Sequence, residues 1–364
     1  MSSEKTYLFF LPNFSIGGAG NSILRICKTL KKRKNKIVVI SLGKNCFRTS
    51  FKKIDVDIIE LPFSRLLSSI ISLREIVSTF LKKKEEKIIF ISNINYSNTI
   101  CCLFLKKFKI NKNFKLILFE RTPIQELDQF QNFFEFVKKK IIKFLIKYTY
   151  KNANFIIGNS TNVSKDLQYL CNQKVLTLNP IVAKSKKIIK KNRIKKMLWI
   201  GRNSKEKNLK DLIKSLENLN DLKFEITIIS DFFSEKMKND LKDIYKKKIK
   251  LINFGKNDIE KYFKNSDIFI STSIYEGFPN VVAEAISYNC LIITSKSYGG
   301  IFDLVKNENY GYMYNSGKID ELSKKIKLSI RNTEKNLIKK RNARKNLNSI
   351  YLKNKKLTNF LEKI

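Results

Sequence analysis

The chain has 364 residues, which is too long for one ordinary core and predicts two domains of about 150–200 residues each. Hydrophobic residues make up 43% of it, so wholesale disorder is excluded. The 73 Lys and Arg residues outnumber the 32 Asp and Glu residues and give a formal net charge of +41. Such a surface attracts polyanions, although the codon bias of an AT-rich genome yields the same lysine excess. The absence of histidine excludes a His-ligated metal site, a His-containing triad and a histidine base.

The cysteines and the N-terminus indicate a cytoplasmic protein. The six cysteines form no C-x-x-C pair and no regular spacing, which is typical of reduced, mostly buried thiols. The first residues, MSSEKTYLFFLPNF, contain no basic region ahead of a long apolar segment, so we expect no secretory signal. No run approaches the roughly 18–20 uncharged apolar residues of a spanning helix. We therefore expect a soluble or peripheral protein.

The first half of the chain alternates between strand and helix patterns. TYLFFLP (6–12) predicts a buried strand, SIGGAG a glycine loop, NSILRICKTLKKR a helix and KIVVISL (36–42) a second strand. This order is one βαβ unit, the building block of a parallel sheet. Further strand candidates are DIIELP (57–62), KIIFIS (87–92), KLILFE (115–120) and NFIIGNS (154–160). They predict a Rossmann-like domain over residues 1–182.

The same alternation restarts after a lysine-rich stretch over 183–196, which predicts an exposed linker. MLWIGR (197–202) and FEITIIS (224–230) predict strands, and NLKDLIKSLENL (208–219) predicts a helix between them. KIKLINFG, DIFISTS and CLIITSKS are further strand candidates. We expect a second Rossmann-like domain over 197–345. A C-terminal helix over 346–364 either stays with this second domain or crosses back to the first domain. The fold class is α/β: two doubly wound domains facing across a cleft at the carboxyl ends of their strands.

The strongest local signal is STSIYEGFPNVVAEAISYNC (271–290). A strand ends near Ser273, and a helix starts near Pro279 or Asn280. The amides of Asn280, Val281 and Val282, with the positive end of the helix dipole, predict an anion site. Glu276 precedes the helix and Glu284 lies one turn inside it, so the two carboxylates suit a sugar and a ribose diol. The alternative is a pair of ordinary capping or surface glutamates.

Seven residues lie between Glu276 and Glu284. This segment resembles the E-x7-E signature of retaining, family 4 type glycosyltransferases with the GT-B fold. WIGRNSKEKNLKDLIKSL (199–216) is similar to the G-R…K-N stretch of the same family. The resemblance implies that Arg202 and Lys207 neutralise the donor diphosphate. It also implies that Glu284 binds the ribose and that Glu276 is a catalytic side chain at the donor sugar. Positive charge is needed where a leaving diphosphate develops negative charge.

The first domain adds weaker similarities. SIGGAGNSILRI (15–26) resembles the family's glycine loop, in which Gly17 and Gly18 would let the backbone approach the phosphates and the acceptor. Many relatives carry a histidine near the donor sugar, and this chain departs from that pattern. LFERTPIQEL (118–127) stands in its place. Glu120 and Arg121 there resemble the E-R pair of some bacterial capsule and lipopolysaccharide enzymes. We expect Arg121, or the nearby Glu120, to line the sugar site as a catalytic side chain; the alternative is a structural ion pair.

The resemblance implies transfer of a hexose or N-acetylhexosamine from a nucleotide sugar, expected to be a UDP-sugar, to a lipid-linked or surface-glycan acceptor with retention of configuration. The nucleotide sugar is a co-substrate, and no cofactor is expected. Asp55-Val56-Asp57 imitates a metal-binding D-x-D motif without a supporting pattern, so we expect no metal. The alternatives are a sugar-nucleotide epimerase on the same fold and a non-catalytic, membrane-bound partner subunit.

Membrane attachment is the last expectation from the sequence. A stripe over 136–149 consists of Phe136, Ile141, Ile142, Leu145, Ile146 and Thr149, with lysines opposite. It predicts either docking to an anionic leaflet or a surface helix packed on its own sheet. Docking would place the protein on the inner face of the cytoplasmic membrane. No recognition motif for nucleic acid is present, so we expect no nucleic-acid partner.

Overall fold

The computed structural model describes residues 5–14, 18–32, 35–82, 87–186, 188, 194–219, 222–235, 237–239, 249–254, 259–331 and 334–364. The chain divides into two compact units. The first contains Met1–Ile181 together with Asn354–Ile364, and the second contains Val182–Lys353.

A seven-stranded parallel sheet forms the first unit. Its strands are β1 (Lys5–Phe10), β2 (Lys36–Leu42), β3 (Asp57–Leu61), β4 (Lys87–Asn93), β5 (Phe114–Glu120), β6 (Phe155–Gly158) and β7 (Val175–Thr177). They lie in the order β3-β2-β1-β4-β5-β6-β7, so the order reverses direction between β1 and β4. Leu8, for example, pairs with Val38 on one side and with Phe90 on the other.

Helices cover both faces of this sheet. They are α1 (Gly18–Lys31), α2 (Arg48–Lys52), α3 (Ile70–Leu81), α4 (Asn95–Phe104), α5 (Phe133–Thr149) and α6 (Thr161–Cys171). Successive strand residues point to opposite faces. Leu8 and Phe10 therefore belong to one core cluster, while Tyr7 and Phe9 belong to the other. Burial on both faces explains why the strands are continuous apolar runs rather than alternating ones.

The second unit repeats the design with six strands. They are β8 (Lys195–Ile200), β9 (Phe224–Ser230), β10 (Ile249–Asn253), β11 (Ile268–Ser271), β13 (Leu291–Ser295) and β15 (Tyr312–Tyr314), in the parallel order β10-β9-β8-β11-β13-β15. The order reverses between β8 and β11. A separate two-stranded parallel ribbon joins β12 (Tyr275–Glu276) and β14 (Tyr298–Gly299). The helices are α7 (Leu209–Glu217), α8 (Ile259–Asn265), α9 (Asn280–Ser287), α10 (Ile301–Leu304), α11 (Ile319–Ile330) and α12 (Glu334–Leu352).

The last helix, α13 (Asn354–Lys363), belongs to the first unit. Leu357 and Leu361 are each 1% exposed and lie in the same core cluster as Tyr7. The Tyr7 hydroxyl donates a 3.0 Å hydrogen bond to the Leu361 carbonyl, and the ring of Phe360 meets that of Phe155 edge-on at 5.2 Å. Helix α13 thus packs into the same core as strand β1.

The structure confirms the predicted fold class to the extent of two parallel-sheet α/β domains with many helices. The unit boundaries lie at 181/182 and 353/354, whereas the sequence placed them at 182 and 345. The predicted linker over 183–196 includes residues 187 and 189–193, which lie outside the described residues. No described helix has both the length and the hydropathy needed to cross a membrane.

Candidate active site

In the second unit, the strand order reverses between β8 and β11, and two loops leave the carboxyl ends of these neighbouring strands. Ligands of doubly wound sheets bind at such a reversal because the two loops diverge there and leave a crevice. Residues 201–207 follow β8, and residues 272–276 follow β11. Arg202, Lys207 and Glu276, three of the predicted donor-site residues, are all on these two loops.

The loop after β8 carries the two cations. A side chain at Gly201 would bring its Cβ to 2.8 Å from the Trp199 ring, so the loop passes over that ring only with glycine. The guanidinium of Arg202 is 55% exposed and lies 2.7 Å from the Glu206 carboxylate. Lys207 is less accessible, and its ammonium pairs with the Glu276 carboxylate at 19% and 17% side-chain exposure. Each predicted diphosphate ligand is therefore neutralised by a carboxylate in this structure.

Two short polar contacts join the second loop to β8 and to the first loop, and a third lies within the second loop. The Trp199 indole donates to the Thr272 hydroxyl at 3.0 Å, and that hydroxyl donates to the Lys207 carbonyl at 2.7 Å. The Ser273 hydroxyl donates to the Glu276 carboxylate at 2.8 Å. Glu276 is thus positioned by Ser273 and Lys207 together. These contacts order the charged groups before any ligand arrives, which lowers the entropic cost of binding.

Helix α9 begins at Asn280, as the sequence predicts, with Pro279 as its N-cap residue. One expectation needs correction: the Asn280 amide is not available to an anion, because its N–H donates to the Phe278 carbonyl at 2.9 Å. Within the described part of the chain, the N–H groups of Val281 and Val282 have no acceptor. The Asn280 carboxamide oxygen is also buried without a hydrogen-bond partner there. Glu284 is half-buried in the same helix.

A buried polar cluster occupies the equivalent reversal in the first unit. Asn93, the last residue of β4, donates to the Phe10 carbonyl at 3.0 Å and so bridges the ends of β4 and β1. Its carboxamide oxygen accepts a 2.8 Å hydrogen bond from Arg121 Nε, and Ser22 Oγ accepts one of 2.9 Å from Arg121 Nη1. The Arg121 guanidinium also lies 4.4 Å from the Phe119 ring centroid.

Arg121 is only 7% exposed, and burial lowers its pKa to about 10, opposed by the nearby Glu120 charge. Its third guanidinium nitrogen, Nη2, is buried without a hydrogen-bond partner among the described residues. The same holds for the carboxamide oxygen of Asn159, whose amide group donates to the Arg121 carbonyl at 3.1 Å. An unpaired buried donor of this kind is costly unless a ligand or water satisfies it.

Glu120 is fully buried, and both carboxylate oxygens are already occupied. One accepts from the Arg121 backbone N–H at 3.1 Å and the Thr122 hydroxyl at 3.2 Å; the other accepts from Tyr150 at 2.9 Å and Asn98 at 3.3 Å. Burial raises the pKa of Glu120 to about 7, and these hydrogen bonds partly oppose the increase. Glu120 contacts Arg121 through its backbone, so no side-chain ion pair joins the two in the described structure.

The glycine loop is only partly described. Gly17 lies outside the described residues, and Gly18 is the exposed first residue of α1. In the same unit, a pocket of about 580 Å³ opens at the carboxyl ends of β1, β2 and β3. Pro12, Leu42, Phe63, Leu66 and Tyr96 supply most of its apolar lining.

The residues described here contain no cluster of three or more Asp, Glu, Cys or His side chains suited to a metal. Asp55 of the D-x-D imitation lies in a turn with φ of 54°, its side chain 89% exposed and 2.6 Å from Lys31. Asp57 is the first residue of β3.

Sequence reasoning did not anticipate the residues that position the site. Thr272 hydrogen-bonds to Lys207, and Ser273 hydrogen-bonds to Glu276. Asn93 and Asn159 hydrogen-bond to Arg121. A usable signal was present, because each of these small polar residues directly follows or ends an apolar strand. At the carboxyl end of a parallel strand, a short polar side chain faces the ligand edge of the sheet.

Comparison with known proteins places these features in a wider group. Residues 182–346 match the family model described as "Glycosyl transferases group 1". A glycosyltransferase of uncharacterised specificity from Methanocaldococcus jannaschii is 28% identical over 218 residues, which span 53% of this chain and 51% of that protein. A Campylobacter jejuni α-1,4-N-acetyl-D-galactosaminyltransferase, named for a GalNAc-containing PP-undecaprenol substrate, is 22% identical over 88% of this chain and 87% of its own.

The fold also matches solved structures along the whole chain. The Anabaena protein HepE, crystallised with UDP-glucose, superimposes with a TM-score of 0.76 at 16% identity, over 99% of this chain and 100% of that one. The family match covers the unit that contains Arg202, Lys207, Glu276 and Glu284. Residues 182–346 are thus similar to glycosyltransferase group 1 domains, and the chain shares the fold of the solved structure it matches, with two parallel-sheet α/β domains.

Proposed function

We propose that this protein transfers a hexose or N-acetylhexosamine from a nucleotide sugar, a UDP-sugar, to a lipid-linked or surface-glycan acceptor with retention of configuration. One observation carries the proposal: Lys207 pairs with Glu276 at the carboxyl ends of β8 and β11, and Arg202 lies on the same loop as Lys207, all within the residues that match the group 1 model. Two cations and a carboxylate at a sheet reversal suit a ligand that joins a diphosphate to a sugar.

The donor diphosphate would replace the internal carboxylate partners of the two cations. Arg202 would leave Glu206, and Lys207 would turn from Glu276 to the phosphates, since a diphosphate carries more charge than one carboxylate. The unpaired N–H groups of Val281 and Val282 would add donors at the positive end of α9. Glu284 is proposed for the ribose diol. Glu276, once released, would accept hydrogen bonds from the donor sugar.

The chemistry needs charge stabilisation more than an enzyme base. An acceptor hydroxyl attacks the anomeric carbon, the bond from that carbon to the diphosphate oxygen breaks, and the leaving phosphate oxygen takes the hydroxyl proton. Arg202 and Lys207 would stabilise the charge that builds up on the diphosphate, the task performed elsewhere by a metal ion. We propose Arg121, whose Nη2 is unpaired, as the first-unit side chain that meets substrate, with Glu120 fixing its segment.

The relatives support the choice of substrates. The Anabaena structure contains UDP-glucose, and the Campylobacter enzyme is named for a substrate linked to undecaprenol through a diphosphate. A formal charge of +41 would attract both an anionic membrane and a diphosphate-linked acceptor. We therefore propose that the protein works as a peripheral protein on the inner face of the cytoplasmic membrane.

A thermal-shift screen with UDP-glucose, UDP-galactose, their N-acetylated forms and GDP-mannose tests the donor assignment. A ligand at about one hundred times its Kd stabilises a protein by about 2.7 kcal/mol, and the true donor should raise the melting temperature most. The Arg202→Ala variant should lose this increase, and Lys205→Ala, which removes an exposed lysine from the same loop, should keep it. An equal increase in both variants would contradict the proposed diphosphate site.

Product analysis separates the competing activities. Incubation of donor with an undecaprenyl-diphosphate glycan should yield a longer lipid-linked glycan and free UDP. Conversion of the donor sugar without any acceptor would instead indicate a nucleotide-sugar epimerase. Donor binding with no turnover on a range of acceptors would favour the non-catalytic partner subunit.

A further inference from the structure

Helix α5 (Phe133–Thr149) leaves an unusually apolar face exposed on the first unit. We define the α5 face as the six apolar residues of this helix that are at least 37% exposed: Phe133, Phe134, Val137, Ile141, Phe144 and Tyr148. Phe134 is 85% exposed and Phe133 74%. The ring centroids of Phe144 and Tyr148 lie 4.5 Å apart and those of Phe133 and Phe134 lie 6.5 Å apart, so each end of the face carries a pair of aromatic rings.

This face shares only Ile141 with the stripe that the sequence predicted for membrane docking. Ile142, Ile146 and Thr149 of that stripe are at most 6% exposed, and the two isoleucines pack in the core of the first unit. Of the two alternatives that the sequence left open, burial within the first unit holds for these three residues. Since an α-helix turns about 100° per residue, the α5 face covers an arc of about 100°, separated from the buried side of the helix.

Lysines border the arc on both sides. Lys138 lies on one flank, and Lys140 and Lys147 lie on the other, by the same projection. Within the described residues Lys138 and Lys147 have no carboxylate within 4 Å, and Lys140 reaches Asp128 only at 3.9 Å. By contrast, Lys139 pairs with Glu135 at 3.0 Å and Lys143 with Asp128 at 2.9 Å. The cations without a close partner are thus the ones beside the apolar arc.

Lys138, on one flank of the α5 face, lies near the pocket at the ends of β1–β3. The Lys138 ammonium lies 4.8 Å from the ring centroid of Tyr96, and Tyr96 lines that pocket. A surface that binds the α5 face would therefore lie close to the pocket opening.

We infer that the α5 face docks on an anionic phospholipid surface, with its aromatic side chains in the interface and Lys138, Lys140 and Lys147 at the headgroups. Apolar area flanked by basic residues is the arrangement that interfacial helices use, and aromatic rings suit the headgroup boundary. Docking itself requires neither donor nor acceptor. Its benefit, presentation of the adjoining pocket to a lipid-linked acceptor, rests on the proposed function.

Co-sedimentation with vesicles tests the inference. The full chain, without nucleotide sugar or acceptor, is mixed with vesicles of phosphatidylcholine alone or with about 30 mol% phosphatidylglycerol. We expect binding to the anionic vesicles, with at least a tenfold weaker partition in the combined variant Phe133→Ser, Phe134→Ser and Phe144→Ser. The matched control carries Ile110→Ser and Tyr169→Ser, which remove two apolar side chains that are 90% and 93% exposed elsewhere in the first unit. The control should bind like the unmodified chain.

Three results overturn the inference. The first is undiminished vesicle binding by the triple variant. The second is equal binding to neutral and anionic vesicles. The third is a chain that is dimeric in light scattering, becomes monomeric in the triple variant and keeps its vesicle binding, because a second copy would then cover the face. Melting temperatures of both variants confirm that each is folded. Failure of the proposed function is separate, since it is read from nucleotide-sugar binding without vesicles.

Discussion

Replacement of Glu120 by Gln tests the role of the most deeply buried carboxyl at the first-unit site. Burial holds the pKa of Glu120 at about 7, against an ordinary value of 4.5. Between these two values the folded protein keeps the proton that the unfolded chain has released. The free energy of unfolding therefore falls as the pH rises through this window. At about 1.4 kcal/mol per pH unit, the full loss approaches about 3 kcal/mol.

Glutamine is neutral throughout this range and has nearly the same shape. It keeps one acceptor oxygen for Arg121 and Thr122, and the Tyr150 hydroxyl can accept from the new amide group instead of donating. Between pH 5 and pH 8, the unmodified protein should therefore lose up to about 3 kcal/mol more of its free energy of unfolding than Glu120→Gln loses. Urea unfolding in steps of half a pH unit measures this difference, with Glu75→Gln, an exposed carboxylate of the same unit, as the control.

Parallel pH profiles for Glu120→Gln and the unmodified protein would refute this reasoning. Turnover gives a second readout. Because Glu120 is fully buried with both oxygens occupied, we expect glycosyl transfer by Glu120→Gln to stay within about tenfold of the unmodified rate. A loss of a thousandfold or more in a folded variant would instead place its charge in the chemistry.

Four other outcomes are expected. Arg121→Lys should lower kcat by at least about tenfold and leave UDP affinity unchanged, because a lysine cannot reproduce three fixed guanidinium nitrogens. Steady-state kinetics measure kcat, and calorimetry measures UDP affinity. A fall in UDP affinity with kcat unchanged would contradict this prediction. Glu284→Gln should weaken UDP binding by about 1.5–3 kcal/mol in calorimetry, and unchanged affinity would exclude the ribose contact. A chelator should leave turnover intact, whereas a loss restored by manganese would bring Asp55 and Asp57 into consideration. Nuclear magnetic resonance of the product should show the anomeric configuration of the donor, and an inverted product would end the retaining proposal.

Periodicity and composition sufficed for most of the fold. Long apolar runs such as KIVVISL mark β2 at 36–42, as predicted from the sequence, because strands buried on both faces need an uninterrupted apolar stretch. Strands β7 and β15, with three residues each, escaped prediction since so short a run carries no periodicity. The return of α13 to the first unit was open as well, because an amphipathic helix does not specify which core it covers.

The charged residues of the candidate site could be predicted from the sequence, whereas several of their contacts could not. The positions of Arg202, Lys207 and Glu276 follow from strand ends, and strand ends follow from apolar runs. The local carboxylate partner of Arg202, Glu206, and the capture of the Asn280 amide by Phe278 depend on loop conformation, which no pattern encodes. The apolar stripe over 136–149 left two alternatives open for a related reason. Two faces of α5 are hydrophobic, and only packing decides which of them is buried.

Because α13 belongs to the first unit, the core of that unit is complete only after residues 354–364 have been synthesised. Tyr7 and Phe155 leave the ribosome long before Leu361 and Phe360, and until then one side of the first core lacks its cover. The second unit is continuous in sequence and has no such dependence. A nascent chain released before residue 354 would hence carry a nearly complete second unit joined to an incomplete first unit, a species prone to aggregation and to quality control.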